Sequence, residues 1–348
     1  MPDPQGQGEA ELRRCLAIVE RAGATADIAL CQMAIGHTIG RAQQDLPRCL
    51  PHHERALELF AELEDRFYVG QLLARLGYAH STVSDLQISY RLTRQSVEVT
   101  RATGDRVGEA LATANLAETA LKQGRYAEAG ELCVKTAALS SELGRPTGQA
   151  HAQLMLGVLA FLRGDLDEAH RQAVGAFTLA SSVNNLITIA NALAAQSLVA
   201  CVRGDAHLAL RLADESTAML TNPFGRLLAG WARALARCAL DDPEGALEAF
   251  TDARRYGQQM SSAAMLTWLL PPAAVALAAR GDEGRAAELL ALARRHPLAA
   301  AGWAERWRPL AGLEARLERA LGAEAFADAW ERGAARDVAA VAEELAAA

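Results

Sequence analysis

The sequence has little of the material from which β-sheets are built. Aromatic residues make up only 5% of its 348 residues, while alanine is abundant. Aromatic and β-branched side chains favour pleated sheets, whereas alanine favours helices that pack closely together. The hydrophobic fraction of 51% and the charged fraction of 22% are typical of a folded protein with a sizeable core. The composition therefore predicts an all-α protein.

Lysine is also nearly missing, since Lys122 and Lys135 are the only two, and the net charge is −7. Nucleic acids and anionic membranes are bound by basic patches, which this charge balance disfavours. The N-terminal stretch lacks the basic and apolar regions of a signal peptide, and no run of about 18 residues is apolar throughout. We expect a cytoplasmic protein with no nucleic-acid or membrane partner.

Motifs for catalysis and cofactor binding are missing as well. The chain contains no GxxxxGK[ST] phosphate loop, no GxSxG nucleophile elbow and no HExxH or DxDxDG metal pattern. No pair of its six cysteines has CxxC spacing, and most occupy positions where a helix would bury a small residue. We interpret them as reduced core thiols rather than as metal ligands or disulfides. The sequence thus predicts no enzyme activity, no cofactor and no metal.

One segment, His52-His53-Glu54, does look like a metal site. Adjacent histidines on a helix point to different faces, however, and no further ligand pattern completes the site. The sequence favours the alternative, in which the segment is the solvated start of a helix.

What the chain does contain is a repeat. Its markers are two-residue turns at Gln44-Asp45, Ser84-Asp85, Gly124-Arg125, Gly164-Asp165, Gly204-Asp205, Asp241-Asp242 and Gly281-Asp282. Successive markers are 40 residues apart, except for one interval of 37. Five residues after the start of each marker comes a small residue, which lets a second helix pack closely on the first. Glycine followed by aspartate predicts a left-handed helix end and then an N-cap.

Each repeat is expected to contain two helices of roughly 14 to 18 residues. The stretch from Met155 to Asn184 is typical, with two helices hinged at Arg163-Gly164-Asp165. The first helix of the last repeat contains Pro271-Pro272, which we expect to bend or end it. The chain divides into an N-terminal capping helix or half repeat (1–24), the repeat array (25–296) and a C-terminal helical cap (297–348).

The repeats resemble tetratricopeptide repeats, whose pattern of leucine and a small residue, followed by alanine in the second helix, is matched by Leu156-Gly157 with Ala169. Their long period is similar to the sensor repeats of large ATP-dependent bacterial transcriptional regulators of the LuxR and MalT type. The tail from Leu321 to Leu345 resembles the segment that closes that sensor. The resemblance implies a right-handed superhelical solenoid of about seven to eight repeats, and it does not extend to the ATPase or DNA-binding domains.

In that family the first helices of successive repeats line a concave groove. Transferred position by position, this geometry implies a ligand-binding or partner-binding surface made of Gln71, Tyr78, Glu118, Lys122, His151, Phe161, Asn191, Trp231 and Trp268. Phe161 and Trp231 would be the apolar anchors, and the polar groups would orient the ligand. The alternative is that these aromatic side chains fill space between neighbouring helices.

Two functions remain open. In the favoured hypothesis, the array is a non-enzymatic module that recognises a peptide, a protein or a small-molecule effector in its groove, in bacterial signalling or transcriptional regulation. In the alternative, it is a structural adaptor or a self-assembling scaffold, such as a homodimer, tied to a biosynthetic or secretion system. That alternative uses Trp303 and Trp307 as exposed contacts on one helical face, although both could instead cap the core of the last repeats.

Overall fold

The computed structural model describes residues 7–42, 45–83, 85–219, 222–300 and 302–347. Across these ranges the chain forms α-helices and short 3-10 turns, with no strand. The helices are α1 (Gln7–Ala22), α2 (Thr25–Ala42), α3 (Leu46–Glu62), α4 (Arg66–Val83), α5 (Leu86–Ala102), α6 (Arg106–Lys122), α7 (Tyr126–Glu142), α8 (Pro146–Arg163), α9 (Leu166–Ser182), α10 (Leu186–Val202), α11 (Ala206–Ala218), α12 (Pro223–Ala239), α13 (Pro243–Gln259), α14 (Ala263–Ala279), α15 (Glu283–Arg295), α16 (Leu313–Leu321), α17 (Ala323–Ala334) and α18 (Val338–Ala347). Two 3-10 turns, Ala304–Arg306 and Arg308–Leu310, lie between α15 and α16.

Six pairs of consecutive helices pack together, α2 with α3, α4 with α5, α8 with α9, α10 with α11, α12 with α13 and α14 with α15, which confirms the all-α repeat solenoid. In chain order, α2, α4, α6, α8, α10, α12 and α14 are the first helices of the repeats, and α3, α5, α7, α9, α11, α13 and α15 are the second helices. The lone helix expected near the N-terminus is α1, which packs against α2. At the other end α17 packs against α15, and α18 contacts α13 and α14.

The turns within the pairs follow the predicted chemistry. Gly124, Gly164, Gly204 and Gly281 have positive φ angles between 75° and 98°, and Asp241 adopts the same left-handed region where glycine is missing. The next residue then caps the second helix, because its carboxylate accepts backbone N–H groups; this applies to Asp45, Asp85, Asp165, Asp205, Asp242 and Asp282. Arg125 provides no such side-chain bond. The marker residues Gln44 and Ser84 lie outside the described residues.

Small residues set the distance between the two helices of a pair. A Cβ atom added to Gly157 on α8 would lie 3.3 Å from both the carbonyl oxygen of Ala169 and the amide nitrogen of Ala173 on α9. Because both alanines are almost completely buried, no larger side chain fits between these backbones. This contact confirms the predicted role of the small residue in the second helix.

Of the two expected effects of Pro271-Pro272, a bend or an end of the first helix of the last repeat, the end does not occur. Helix α14 continues through both prolines to Ala279. The prolines remove two backbone donors, but nearly all side chains of α14 are buried. Packing of α14 against α12, α13 and α15 therefore holds the helix together.

The chain forms two compact units, Met1–Thr119 (unit 1) and Ala120–Ala348 (unit 2). In unit 1 a core cluster joins Leu16 of α1 to Ile35 and Ile39 of α2 and to Cys49 of α3. In unit 2 another cluster joins Leu154 of α8 to Ala173 and Ala176 of α9 and to Ala192 of α10. Each unit thus buries the apolar faces that a single helix pair would leave exposed.

Candidate functional site

The nine predicted groove residues are divided between the two units. Gln71, Tyr78 and Glu118 lie in unit 1, and the other six lie in unit 2. In each unit we call the side of the first helices that carries these positions the inner face. The inner faces of the two units differ in what lies on them.

In unit 2 the chain's own residues 298–300 and 302–310, which we call the crossing segment, lie on the inner face. The indole ring of Trp303 stacks on the ring of Phe161, with centroids 5.8 Å apart and planes 17° apart. Its edge meets Trp231 at 5.1 Å, and Trp231 in turn stacks on Trp268 at 5.4 Å. Offset and edge-to-face contacts of this kind are favourable beyond the apolar area that they bury.

Polar contacts hold the start of the crossing segment. The hydroxyl of Tyr126 donates to the carbonyl oxygen of Leu298 at 2.8 Å and accepts from Nε1 of Trp268 at 3.1 Å. Burial raises the pKa of the Tyr126 phenol, so the group stays a neutral donor. One hydroxyl thereby connects α7, α14 and the crossing segment.

Two glycines let the crossing segment approach the turn between α8 and α9. A Cβ atom added to Gly164 would lie 2.4 Å from the carbonyl oxygen of Gly302, and one added to Gly302 would lie 2.3 Å from the carbonyl carbon of Arg163. Any side chain at either position would force the two backbones apart. Gly164, the marker glycine of this repeat, therefore also lets the crossing segment pack against the turn.

The crossing segment covers the predicted aromatic anchors. Phe161 is 2% exposed, Trp231 is 0% exposed and Trp268 is 1% exposed. These side chains contact one another or the crossing segment, so an external ligand could reach them only if that segment moved. These contacts match the alternative in which Phe161 and Trp231 fill space between neighbouring helices.

The polar residues predicted in unit 2 have other surroundings. Lys122 and Asn191 are buried, and His151 is half-buried. The amide of Asn191 donates to Oδ1 of Asn222 at 3.3 Å, next to the N-terminus of α12. Asn191 therefore supports the start of a neighbouring first helix.

Of the two alternatives for Trp303 and Trp307, exposure on one helical face does not occur, and both side chains lie in the core. Both side chains are only 1% exposed. The chain forms two 3-10 turns here, with an extended Trp307 between them, because Pro309 lies one residue into the second turn and cannot donate a backbone hydrogen bond. The tryptophans are thus part of the packed interior of unit 2 and provide no exposed contact for an adaptor.

In unit 1 the inner face contains a pocket of about 270 Å³ between α2, α3, α4 and α6. Its wall is mostly apolar, with Tyr78 and Leu111 at the rim, 37% and 48% exposed. The residues that line it are Gly36, His37, Gly40, Leu46, Cys49, His53, Arg75, Tyr78, Ala79, Leu111 and Asn115. A mostly apolar pocket with a few converging polar groups is the usual form of a small ligand site.

The imidazole of His53 is the most deeply buried polar group of this pocket. The side chain is 4% exposed, and neither ring nitrogen has a hydrogen-bond partner among the described residues. Burial lowers the pKa of His53 to about 4, and the nearby charges of Arg75 and His37 add to the shift. The ring lies directly against α2, where a Cβ atom on Gly36 would be 2.5 Å from it.

Arg75 and His37 form the second polar element of the pocket. Nη1 of Arg75 donates to Nδ1 of His37 at 2.7 Å. Because a guanidinium is always protonated, this contact makes Nδ1 the acceptor and leaves the His37 proton on Nε2.

The three predicted residues of unit 1 lie at different distances from this pocket. Tyr78 lines it, and burial of its phenol group, together with the charge of Glu118, raises the pKa of Tyr78 to about 12. Glu118 itself is buried. The amide of Gln71 instead donates to Oδ2 of Asp105 at 3.1 Å, at the turn before α6. The structure thus places only Tyr78 of this group in the pocket wall.

The interpretation of His52-His53-Glu54 as a solvated helix start is wrong. Both histidines lie inside α3, where His52 bonds to Gln32 at 2.7 Å and His53 faces the pocket. The metal alternative gains no support, since no cluster of three metal-ligating side chains occurs in the part of the chain that the structure describes. Sequence reasoning missed the pocket, although Gly36 and Gly40 on one helix, facing Cys49 and His53 on the next, mark where the helices meet closely.

The cysteines are free thiols. Cys49, Cys133 and Cys201 are buried, while Cys31 and Cys238 are half-buried and Cys15 is exposed. Burial raises the pKa of Cys201 to about 12, which keeps that thiol protonated. Three of the six cysteines thus lie in helix cores, fewer than the sequence predicted.

Comparisons with known proteins agree with this architecture. Residues 109–179, which include most of α6 to α9, match the family model of the tetratricopeptide repeat. The chain is similar to a Rap protein complexed with competence and sporulation factor, at 15% identity and a TM-score of 0.55, with 92% of this chain and 89% of that chain covered. It is also similar to aspartyl phosphate phosphatase F from Bacillus subtilis, at 12% identity and a TM-score of 0.55, with 80% and 73% covered.

The fold defines a helical repeat array, in which residues 109–179 match the tetratricopeptide repeat. At these identities the solved structures share the fold alone with this chain. No curated protein sequence matches it. The narrower resemblance to the sensor of LuxR and MalT regulators stays a prediction. None of the described helices is both long enough and apolar enough to cross a membrane.

Proposed function

We propose that the chain is a non-catalytic recognition module that binds an extended peptide, or a segment of a partner protein, on an inner face of its repeats. Its role would lie in bacterial signalling or transcriptional regulation. The observation that carries this proposal is the crossing segment, because it is a stretch of short turns and aromatic side chains bound across the first helices of unit 2. An inner face of this array thus already holds a peptide-like ligand within its own chain.

The open inner face is that of unit 1. Its rim presents the exposed side chains of Tyr78 and Leu111, and the pocket between the first helices lies beneath them. Aromatic and apolar side chains next to a pocket are the usual anchors for a bound peptide. We therefore place the contact with an external partner here, while Phe161, Trp231 and Trp268 hold the crossing segment.

The similar structures fit this proposal at the level of the fold. One of them is a Rap protein complexed with competence and sporulation factor, and another is named as an aspartyl phosphate phosphatase. Repeat arrays offer long surfaces on which unrelated partners can bind, so a shared fold does not transfer the partner. The assignment of unit 1 rests on its own exposed residues.

The proposal is tested with the full chain and a panel of short peptides, screened by thermal shift and titrated by calorimetry. Some peptides should raise the melting temperature. Replacing Tyr78 or Leu111 with alanine should weaken their binding about tenfold, the typical effect of losing one apolar contact. Both side chains are partly exposed, so these variants should fold.

The matched control is Ile18→Ala, because Ile18 is 58% exposed on α1 of the same unit and lies away from the pocket. This variant should bind like the original chain. The proposal is contradicted if no peptide binds, or if bound peptides are insensitive to both Tyr78→Ala and Leu111→Ala.

A further inference from the structure

The polar side chains that line the unit 1 pocket differ in their surroundings. These side chains are His37, His53, Arg75, Tyr78 and Asn115. Nη1 of Arg75 donates to Nδ1 of His37 at 2.7 Å, and the amide of Asn115 donates to a backbone carbonyl oxygen at 3.1 Å. Tyr78 is 37% exposed at the rim. His53 differs from all of them, because it is only 4% exposed and neither ring nitrogen has a partner in the described part of the chain.

The imidazole of His53 is suited to one kind of partner. A buried polar side chain normally has a hydrogen-bond partner, and leaving one without costs free energy. With a pKa of about 4 the ring is neutral near pH 7, so one of its nitrogens donates and the other accepts. A hydroxyl group both donates and accepts, and it can therefore pair with either nitrogen.

The charges around the pocket are of both signs and already interact within the chain. The guanidinium of Arg75 lies in the pocket wall. Burial, and then the nearby carboxylate of Glu118, raises the pKa of Tyr78, which places a negative charge close to the pocket as well. Arg75, His37 and Glu118 all make further interactions. A charged ligand would lose its hydration here without gaining a counter-charge of its own, so the pocket favours a neutral ligand.

We infer that the unit 1 pocket binds a neutral apolar group with one hydroxyl, which pairs with a ring nitrogen of His53. The group is either a free small alcohol or the side chain of a tyrosine in a bound peptide, since both combine an apolar body with a hydroxyl. The apolar body lies against Leu46, Ala79 and Leu111. A volume of about 270 Å³ accommodates one ring with a short chain. In its peptide form the inference rests on the proposed function.

The free-ligand arm of the test uses four probes that share a fluorophenyl ring, namely 4-fluorobenzyl alcohol, 4-fluorotoluene, 4-fluorobenzoate and 4-fluorobenzylammonium. Fluorine NMR measures the binding of each probe to the full chain near neutral pH. The alcohol should bind about tenfold more tightly than 4-fluorotoluene, which leaves His53 without a partner. It should also bind about tenfold more tightly than the two charged probes, because a charge is costly to bury in an apolar pocket.

The peptide arm compares fluorescein-labelled Gly-Ala-Tyr-Ala amide with the matching peptide that has phenylalanine in place of tyrosine. Fluorescence anisotropy measures the binding of both peptides to the full chain. The tyrosine peptide should bind about tenfold more tightly, because only its side chain can pair with His53. A preference for the hydroxyl in either arm supports the inference, and the arm in which it occurs identifies the source of the hydroxyl.

Variants test the role of His53. His53→Leu should abolish the preference for the hydroxyl, because leucine is apolar and has no ring nitrogen. The matched control is His52→Leu, since His52 also lies on α3 but bonds to Gln32 and does not line the pocket. This control should keep the preference. Circular dichroism checks that both variants fold, and the comparison among the probes needs no variant at all.

The inference would be overturned if neither arm showed a preference for the hydroxyl, whether because the matched ligands bound equally or because none bound. A preference that survived His53→Leu, or tighter binding of a charged probe than of the alcohol, would also overturn it. Each of these results leaves the proposed function intact. The proposed function would fail separately, if the wider peptide panel produced no binder.

Discussion

The rings of Trp303 and Phe161 lie nearly parallel, 5.8 Å apart, although 142 positions separate them in the sequence. This contact brings the crossing segment onto the first helices of unit 2. The inner face of a repeat array is usually considered as a surface for partners. In this protein, part of the inner face of unit 2 is buried beneath the crossing segment.

Replacing Trp303 with alanine should destabilise unit 2 by roughly 3 to 5 kcal/mol, because a fully buried indole leaves a large cavity. Urea unfolding followed by tryptophan fluorescence measures this directly, since all five tryptophans lie in unit 2. Trp330→Ala is the control, because Trp330 is half-buried and should cost less. Equal losses in the two variants would contradict the packing described for Trp303.

Gly164 and Gly281 offer a matched test of whether the crossing segment packs closely against the turn between α8 and α9. Their φ angles are +82° and +81°, so alanine should impose the same backbone strain of about 1 kcal/mol at both. Only Gly164 lies against Gly302, whereas a Cβ atom on Gly281 would meet nothing within 4 Å. Gly164→Ala should therefore lower the melting temperature clearly more than Gly281→Ala. Identical shifts would show that Gly302 does not press on this turn.

Tyr126→Phe should cost about 1 to 2 kcal/mol, since it removes the donor to Leu298 and leaves Nε1 of Trp268 without its acceptor. Tyr256→Phe, at a half-buried position elsewhere in unit 2, is the comparison and should have little effect. Denaturant midpoints of both variants, read by tryptophan fluorescence, provide the measurement. A neutral Tyr126→Phe would mean that the hydroxyl does not hold the crossing segment.

The stability of unit 1 should depend on pH through His53. Its pKa is about 4 in the folded chain and about 6.5 when unfolded, so the unfolded state binds more protons between these values. Stability should therefore fall as the pH is lowered from 6.5 towards 4, by up to about 3 kcal/mol from this group.

Urea unfolding of the full chain, followed by circular dichroism at several pH values, tests this dependence against His53→Leu. The variant should lose the part of the pH dependence that His53 contributes. Parallel stability curves for the two proteins would contradict the buried, neutral state of His53.

The repeat could be predicted from the sequence because its signals are local. Gly164 followed by Asp165 specifies a left-handed helix end and an N-cap within a few residues, and Ala169 follows at a fixed distance. These preferences act on neighbouring backbone groups and hardly depend on the rest of the fold. The helices of each repeat, and the positions of the turns between them, could therefore be predicted from the sequence.

The contacts of the aromatic residues could not be predicted from the sequence in this way. Whether Trp303 faces solvent or Phe161 depends on a contact between distant parts of the chain, and helical periodicity does not encode it. His53 shows the same limit, because its burial follows from the close approach of α2 at Gly36. From local pattern alone, His53 was assigned to the surface, and the position of Trp303 stayed open between the surface and the core.

The central claim is that an external ligand binds unit 1 while the crossing segment stays on the inner face of unit 2. Hydrogen exchange of the full chain, with and without a saturating peptide from the screened panel, tests it most directly. The account predicts slower exchange in α2, α4 and α6 around Tyr78 and Leu111, with the crossing segment unchanged. Slower exchange in α8 and α12, together with faster exchange in the crossing segment, would contradict it, because the ligand would then have displaced the crossing segment.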